Sequence, residues 1–319
     1  MKIKVLHIVG GPSSNGAYKG ANILHLSLLN LGVNSKLLND SPSKLKKNNI
    51  IYINDSFFKR LLNKIFIIIE KILKSFFLHS PRSTFTLGFF GFDITKLRDY
   101  KDADIIHIHW LSQGFIKFRY ISKINKPIVW TMRDMWPFTG GSHYTMDFEK
   151  YEKGYLSKMI KNLKKKIYNK NIKFIAISNW LKNKAEKSDV LKDHEIQTIY
   201  NNIQLNDFNM ISKEKARSIL KISTNKQIIL YGAQNPQSKR KGWEVFVESL
   251  KKIDKSKYLL CIFGKFWSQK TLDEIGIEYM NFGFINDNKK LNAIYSSADI
   301  FIASSIQEAF GKTWAEAMA

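Results

Sequence analysis

Nine short apolar runs, KVLHIV, IIYI, DIIHIHW, PIVWTM, KFIAIS, IQTIY, QIILYG, YLLCIFG and DIFIASS, recur along the 319 residues. Each is short and rich in β-branched side chains, as suits a strand buried on both faces of a parallel sheet. Between them lie segments of helical periodicity at residues 21–31, 151–168, 243–253 and 288–296. Strand alternating with helix in this way predicts a doubly wound α/β architecture. Two stretches open alike, VLHIVGG near the start and IILYGAQ near Leu230, each a strand running into a glycine-bearing turn. The chain is also longer than one core usually supports. Two Rossmann-like domains in tandem are expected, divided within YNNIQLNDFNMISKEKA near Gln204 into residues 1–204 and 205–319.

Composition excludes some classes. Hydrophobic residues at 44% and aromatics at 13% are ample for packed cores, against global disorder. The start, MKIKVLHIVGG, reads as a first strand and not as a secretory signal. The most apolar region is broken by Lys64, Glu70, Lys71 and Lys74, so no spanning helix is expected. The single Cys261, inside YLLCIF, reads as a buried thiol; one cysteine forms no internal disulfide, which fits a reducing compartment.

A formal charge of +24 attracts anions. Nucleic acid, an anionic membrane face and phosphorylated substrates all answer to it, as does simple lysine-rich bias. The segment 57–78, FFKRLLNKIFIIIEKILKSFFL, alternates large apolar residues with lysines at helical spacing. Two readings stand: a helix lying in a membrane interface, or one packing on the first sheet. The basic run SKMIKNLKKKIYNKNIK is likewise either a second anion-facing helix or a solvated face.

The end of the chain, ADIFIASSIQEAFGKTWAEAMA, places a strand before a polar loop holding Glu308. Gly311 permits a tight turn, and a helix beginning near Lys312 carries Glu316. Two carboxylates thus reach the carboxyl edge of a sheet, where open α/β folds bind ligands. The helix N-terminus offers free N–H groups to a phosphate, and Glu316 can accept from ribose hydroxyls. In isolation, two glutamates flanking a turn are more often solvated.

EAFGKTWAE, in its setting after DIFIASS, resembles the E-x₇-E signature of retaining glycosyltransferase family 4, which has the GT-B fold of two Rossmann-like domains. KRKGWEVFVESL is similar to the family's basic element that meets the donor diphosphate, which carries over to Lys241. Where the family has an arginine after the preceding strand, this chain has Ala233, and Arg240 is the candidate substitute. GGPSSNGAYKG resembles the first glycine-rich loop, where Gly10, Gly11 and Gly16 would let backbone approach sugar or phosphate. DIIHIHW resembles the strand that delivers a histidine to the cleft, here His109. WTMRDMWPFTGGSHY looks like an element of polysaccharide-assembly members, with Arg133 for a histidine and Ser142 for a cysteine. It makes Thr139, Gly140, Gly141 and His143 acceptor-loop candidates, the alternative being a loop that packs beneath the cleft.

The resemblance implies transfer of a sugar from a nucleoside-diphosphate sugar to a hydroxyl of a glycan or lipid-linked glycan in surface polysaccharide assembly, with retention. Catalytic roles fall to His109, Lys241 and Glu308, and donor binding to Gly11, Gly16, Arg240, Lys241, Glu308, Ala309, Phe310, Gly311 and Glu316. Glu308, Glu316 and Lys241 are expected to converge on one pyrophosphate. No metal or cofactor is expected, the nucleotide sugar being a substrate: Asp102 and Asp104 form a D-x-D at the amino end of a strand, and the histidines show no zinc spacing. The expected setting is cytoplasmic, peripheral on the inner membrane face, without nucleic acid. Rivals are a nucleotide-sugar epimerase on the same fold and a basic binding module. The stop at AEAMA leads to the expectation of a C-terminally incomplete second domain.

Overall fold

The computed structural model describes residues 2–41, 49–77, 84–168, 172–266, 268 and 270–319. The chain divides into two compact units, Met1–Tyr200 and Asn201–Ala319.

The first unit is built on a parallel sheet of β1 (Lys4–Val9), β2 (Asn34–Asn39), β3 (Ile50–Tyr52), β4 (Ile105–Trp110), β5 (Ile128–Met132), β6 (Ile172–Ala176) and β7 (Ile196–Thr198), in the order β3-β2-β1-β4-β5-β6-β7. Its helices are α1 (Gly16–Asn30), α2 (Phe57–Phe77), α3 (Arg98–Asp102), α4 (Glu149–Glu152), α5 (Tyr155–Ile167) and α6 (Asn179–Glu186). The order reverses between β1 and β4, the topological switch point beside which open α/β sheets bind ligands. The one helix expected over residues 151–168 is two, because Gly154 takes extended backbone as the cap of α5. β2 escapes the apolar-run criterion: NSKLLN has only Leu37 and Leu38, adjacent and so on opposite faces.

The second unit holds α7 (Lys213–Leu220), β8 (Gln227–Gly232), α8 (Trp243–Leu250), β9 (Tyr258–Phe263), α9 (Lys270–Ile275), β10 (Tyr279–Asn281), α10 (Asn288–Ser297), β11 (Ile300–Ile302) and α11 (Lys312–Met318). Its parallel sheet runs β10-β9-β8-β11, with the switch point between β8 and β11. The period-2 alternation of a strand sorts the core into two layers. Ile229, Tyr231, Leu260 and Ile262 meet Trp243, Phe246 and Leu250 of α8 and Leu272 and Ile275 of α9. Ile228, Leu230, Leu259, Cys261 and Phe263 meet Ile294 and Tyr295 of α10. Burial on this second layer pushes the Cys261 thiol up to about 12, so it acts as a small apolar side chain.

Phe246 lies parallel to Tyr231 with ring centroids 4.1 Å apart. Truncating so buried an aromatic ring removes its transfer energy and leaves a cavity. Phe246→Ala is expected to destabilise the chain by about 3–5 kcal/mol, read from the urea midpoint.

Candidate functional site

In the second unit, β8 and β11 are paired neighbours, and the loops leaving their carboxyl ends carry the charged residues. After β8 the chain makes a single 3-10 turn, Lys239–Lys241, closed by Gly242 at φ 69°. A β-carbon at Gly242 would strike the Ser304 carbonyl of the loop after β11, so only glycine lets the two loops lie this close. Backbone bonds hold them together: the amides of Ile306 and Gln307 both donate to the Arg240 carbonyl, at 2.8 and 3.2 Å. The Tyr231 and Ser304 hydroxyls donate to the Lys241 carbonyl, each at 3.1 Å.

This framework delivers Lys241 Nζ to Glu308 Oε2 as a direct ion pair, and Arg240 Nη1 lies 3.6 Å from the same oxygen. All three side chains are largely buried, at 15%, 14% and 22% exposure for Lys241, Glu308 and Arg240. Burial draws the Lys241 ammonium below its ordinary value, against the pull of the Glu308 carboxylate. Burial alone would raise Glu308, yet Lys241 and Arg240 together hold its carboxyl below the ordinary range. The result is two cations sharing one anion, a net positive charge at the carboxyl edge of a sheet.

Glu316 lies on α11, after Gly311 at φ 80°. One of its oxygens is paired with Lys312 at 2.9 Å, and the other accepts from the Tyr295 hydroxyl at 3.1 Å. Ala309 is buried beside Glu308, and Phe310 is half-buried.

In the first unit, β1 runs into Gly10 and Gly11 at the switch point. The space that a β-carbon at either would need belongs to this protein's own side chains, Ser112 against Gly10 and the Trp110 ring against Gly11. These two glycines therefore serve close packing within the fold. Nothing lies within 4 Å of a β-carbon built at Gly16, which leaves the first turn of α1 open to a ligand. Asp40, just after β2, accepts from the Gly11 amide at 2.6 Å and from the Ser112 hydroxyl, and burial raises its pKa. Asn39 donates to the carbonyls of Val9 and Gly11 at 2.6 and 3.0 Å.

His109 is 1% exposed and fully engaged. Arg133 Nη2 lies 3.0 Å from His109 Nδ1, and His109 Nε2 lies 2.9 Å from His7 Nδ1. A guanidinium can only donate, so the direction of the chain is fixed. His109 Nδ1 accepts, its proton sits on Nε2 and is donated to His7, and His7 carries its own proton on Nε2, a buried atom without a partner. His107, in register with His7 across β1 and β4, pairs with the Thr131 hydroxyl at 2.8 Å. Nitrogens of His7, His107 and His109 all lie within 4.8 Å of one another, a cluster that sequence spacing hides because register and not proximity in the chain creates it. A metal there would have to displace the His109–His7 bond and sit beside the Arg133 cation, whose pKa, though burial lowers it to about 10, keeps it charged at neutral pH. The arrangement suits a neutral hydrogen-bonded stack. Burial first, and neighbouring charges second, hold His7 and His109 well below the ordinary imidazole value and His107 at about 3.

The loop after β5 is buried throughout the candidate acceptor residues. The Thr139 hydroxyl donates to the Ser142 carbonyl at 2.5 Å, the Gly140 amide donates to the Glu152 carboxylate at 3.2 Å, and the Gly141 carbonyl accepts from the Thr86 amide at 2.9 Å. His143 lies between Asp134, at 2.6 Å, and the Thr86 hydroxyl, at 3.0 Å. Trp110 Nε1 donates to the same Asp134 oxygen at 2.7 Å, which ties the end of β4 to this loop. Buried Lys164 of α5 donates to the carbonyls of Trp136 and Thr139 beneath it.

Residues 55–207 match the family described as Glycosyltransferase Family 4, and residues 212–319 match Glycosyl transferases group 1. The chain belongs to the family 4, group 1 glycosyltransferases. An uncharacterized 41.2 kDa protein in the cps region of Klebsiella pneumoniae is 23% identical over 251 residues, which cover 76% of this chain. The chain spans 65% of that relative's length. A sucrose-phosphate synthase from Thermosynechococcus elongatus superposes with a TM-score of 0.69 at 16% identity, over 99% of this chain and 79% of its own. The Anabaena protein Alr3699/HepE in complex with UDP-glucose superposes with a TM-score of 0.62 at 14% identity, over 99% and 78%. These likenesses establish the fold of this family 4 member as GT-B, two Rossmann-like domains.

Within that family, Ala233 stands where an arginine is usual. Here Ala233 is 6% exposed and its amide is bonded to the Phe263 carbonyl at 3.3 Å, so the position faces the packed interior. Arg240, seven residues nearer Glu308 in the chain, supplies a guanidinium beside that carboxylate. No motif marks Asp40 or Asp134 in the sequence. Each lies within two residues of the carboxyl end of a strand, β2 and β5, and that placement is the signal that could find them.

Because His107 is held at about 3 in the fold and titrates near 6.5 when unfolded, the unfolded chain takes up the proton first as the solution is acidified. The stabilisation is complete above pH 6.5 and is lost as the pH falls toward 3. His107→Gln is expected to make stability about 1.4 kcal/mol per pH unit less steep between about pH 6 and 4, measured by denaturant titration at each pH.

Proposed function

We propose that this family 4 protein transfers a hexose from a nucleoside-diphosphate sugar to a hydroxyl of a glycan or lipid-linked glycan acceptor in surface polysaccharide assembly, on the cytoplasmic side, with retention of anomeric configuration. The observation that carries the reading is the Arg240–Lys241–Glu308 cluster at the switch point of the second sheet. As the bond from the sugar's anomeric carbon to the diphosphate breaks, negative charge grows on the departing phosphate. Fixed cations at a partly desolvated site stabilise that charge more than they would in water. Lys241 is drawn from Glu308 to the diphosphate, Arg240 adds a second cation, and Glu308, so released, accepts from hydroxyls of the donor sugar. The acceptor oxygen forms the new bond to the anomeric carbon as its proton passes to an oxygen of the departing phosphate, and the nucleoside diphosphate leaves.

The reading assigns charge neutralisation to side chains, with no metal ion or other cofactor. It assigns the nucleotide of the donor to the second unit, with Glu316 toward the ribose, and acceptor recognition to the first. His109 acts in this scheme as part of the Arg133–His109–His7 chain. Support for a polysaccharide setting comes from the relative in a cps region, and support for a uridine nucleotide donor from the complex of the Anabaena protein with UDP-glucose.

Two outcomes test this. Lys241→Ala and Glu308→Gln are each expected to lower turnover about 10²- to 10³-fold, in an assay of sugar transfer from UDP- or GDP-sugars with the fold checked by circular dichroism. Turnover is expected to persist in excess EDTA. Full activity in Lys241→Ala, or abolition by EDTA with recovery on adding a divalent metal, would overturn the assignment.

A further inference from the structure

Helix α2, Phe57–Phe77, is 21 residues long, about 30 Å at 1.5 Å per residue. One face is fixed to the first unit by polar as well as apolar contacts. Asn63 donates to the Gly114 carbonyl at 2.9 Å, Glu70 accepts from the Gly88 amide at 3.0 Å, and Phe66 lies against Phe90 and Phe92 with centroids 6.1 and 5.8 Å away. Leu73 packs against the cluster of Phe85 and Phe148.

The opposite face is exposed and apolar. Phe57 is 82% exposed, Phe58 67%, Ile68 55% and Ile72 52%, with Leu61 and Ile65 between them. At 100° per residue these six side chains occupy one arc of about 100° running the length of the helix. Arg60, Lys64 and Lys71 are also exposed and fall within about 60° of one edge of that arc. The helix's only acid, Glu70, is on the buried side, and Asp55 just before it is paired with Lys59 at 2.9 Å. The exposed surface is therefore a long apolar stripe bordered by cations with no acid among them.

We propose that this face of α2 docks on an anionic lipid surface, lying flat with Phe57, Phe58, Leu61, Ile65, Ile68 and Ile72 at acyl depth and Arg60, Lys64 and Lys71 among the headgroups. A straight stripe some 30 Å long fits a planar partner that is apolar beneath and anionic above. A second copy fits poorly, since it would bring the same cations and another chain of charge +24 against them. Among the described residues no helix is long and apolar enough to cross a membrane, so the contact is interfacial. The proposal does not depend on glycosyl transfer.

The test is flotation of the full chain with vesicles of phosphatidylcholine alone or mixed with phosphatidylglycerol. Wild type is expected to float with the mixed vesicles and to be released by salt. Lys64→Gln/Lys71→Gln is expected to bind about 25-fold more weakly, each lysine beside an anionic surface strengthening binding about fivefold. Ile65→Asn/Ile68→Asn, also at exposed positions, is expected to lose flotation while keeping the wild-type circular dichroism and melting temperature. No flotation of wild type, equal binding to pure phosphatidylcholine, or undiminished binding of either variant would overturn the proposal. So would a wild-type dimer in analytical sedimentation that Ile65→Asn/Ile68→Asn abolishes, which would assign the face to a second copy.

Discussion

The ion pair between Lys241 and Glu308 joins two residues 67 positions apart in the chain, and the pairing of β8 with β11 is what brings their loops side by side. Such a buried pair adds little to stability by itself, because each charge loses its hydration. Its consequence is positional. The Arg240 carbonyl receives two amides from the loop that carries Glu308, and Gly242 permits the close approach, so charge, backbone bonding and sterics specify the same geometry. With Arg240 at 3.6 Å, the carboxylate neutralises one of two cations and leaves the edge of the sheet attractive to an anion.

The first unit uses its polar residues differently. At its switch point Asp40, Ser112 and Asn39 bind the Gly10–Gly11 turn, and the Arg133–His109–His7 and Asp134–His143–Thr86 chains tie further strands and loops of the unit together. Most of these groups are bonded to one another, which rigidifies the carboxyl edge and leaves the start of α1 at Gly16 open.

Much of this was legible in the sequence, and the misses have physical causes. The nine apolar runs all coincide with strands, because a strand covered on both faces must be apolar throughout. β2 and β10 fall outside those runs: NSKLLN is half polar, and YMN is a three-residue edge strand. The α2 helix was legible by period, but which of its faces was free depended on Asn63 and Glu70 turning inward to Gly114 and Gly88, contacts no local pattern announces. At the site, Lys241 and Glu308 were legible through motif resemblance, and Arg240 through adjacency. The i,i+4 pairing of Lys312 with Glu316 follows from helical spacing, but the sequence could not reveal that Tyr295 of α10 also holds Glu316, that Gly10 and Gly11 are required by Ser112 and Trp110, or that Thr139, Gly140, Gly141 and His143 are buried. Each of these depends on which helices, strands and loops tertiary packing brings together.

A structure of the chain with a nucleoside diphosphate bound measures the central claim directly. The account predicts phosphate oxygens within hydrogen-bond reach of Lys241 Nζ and the Arg240 guanidinium, with Lys241 withdrawn from Glu308. A nucleotide seated elsewhere, with the Lys241–Glu308 pair intact, would contradict it.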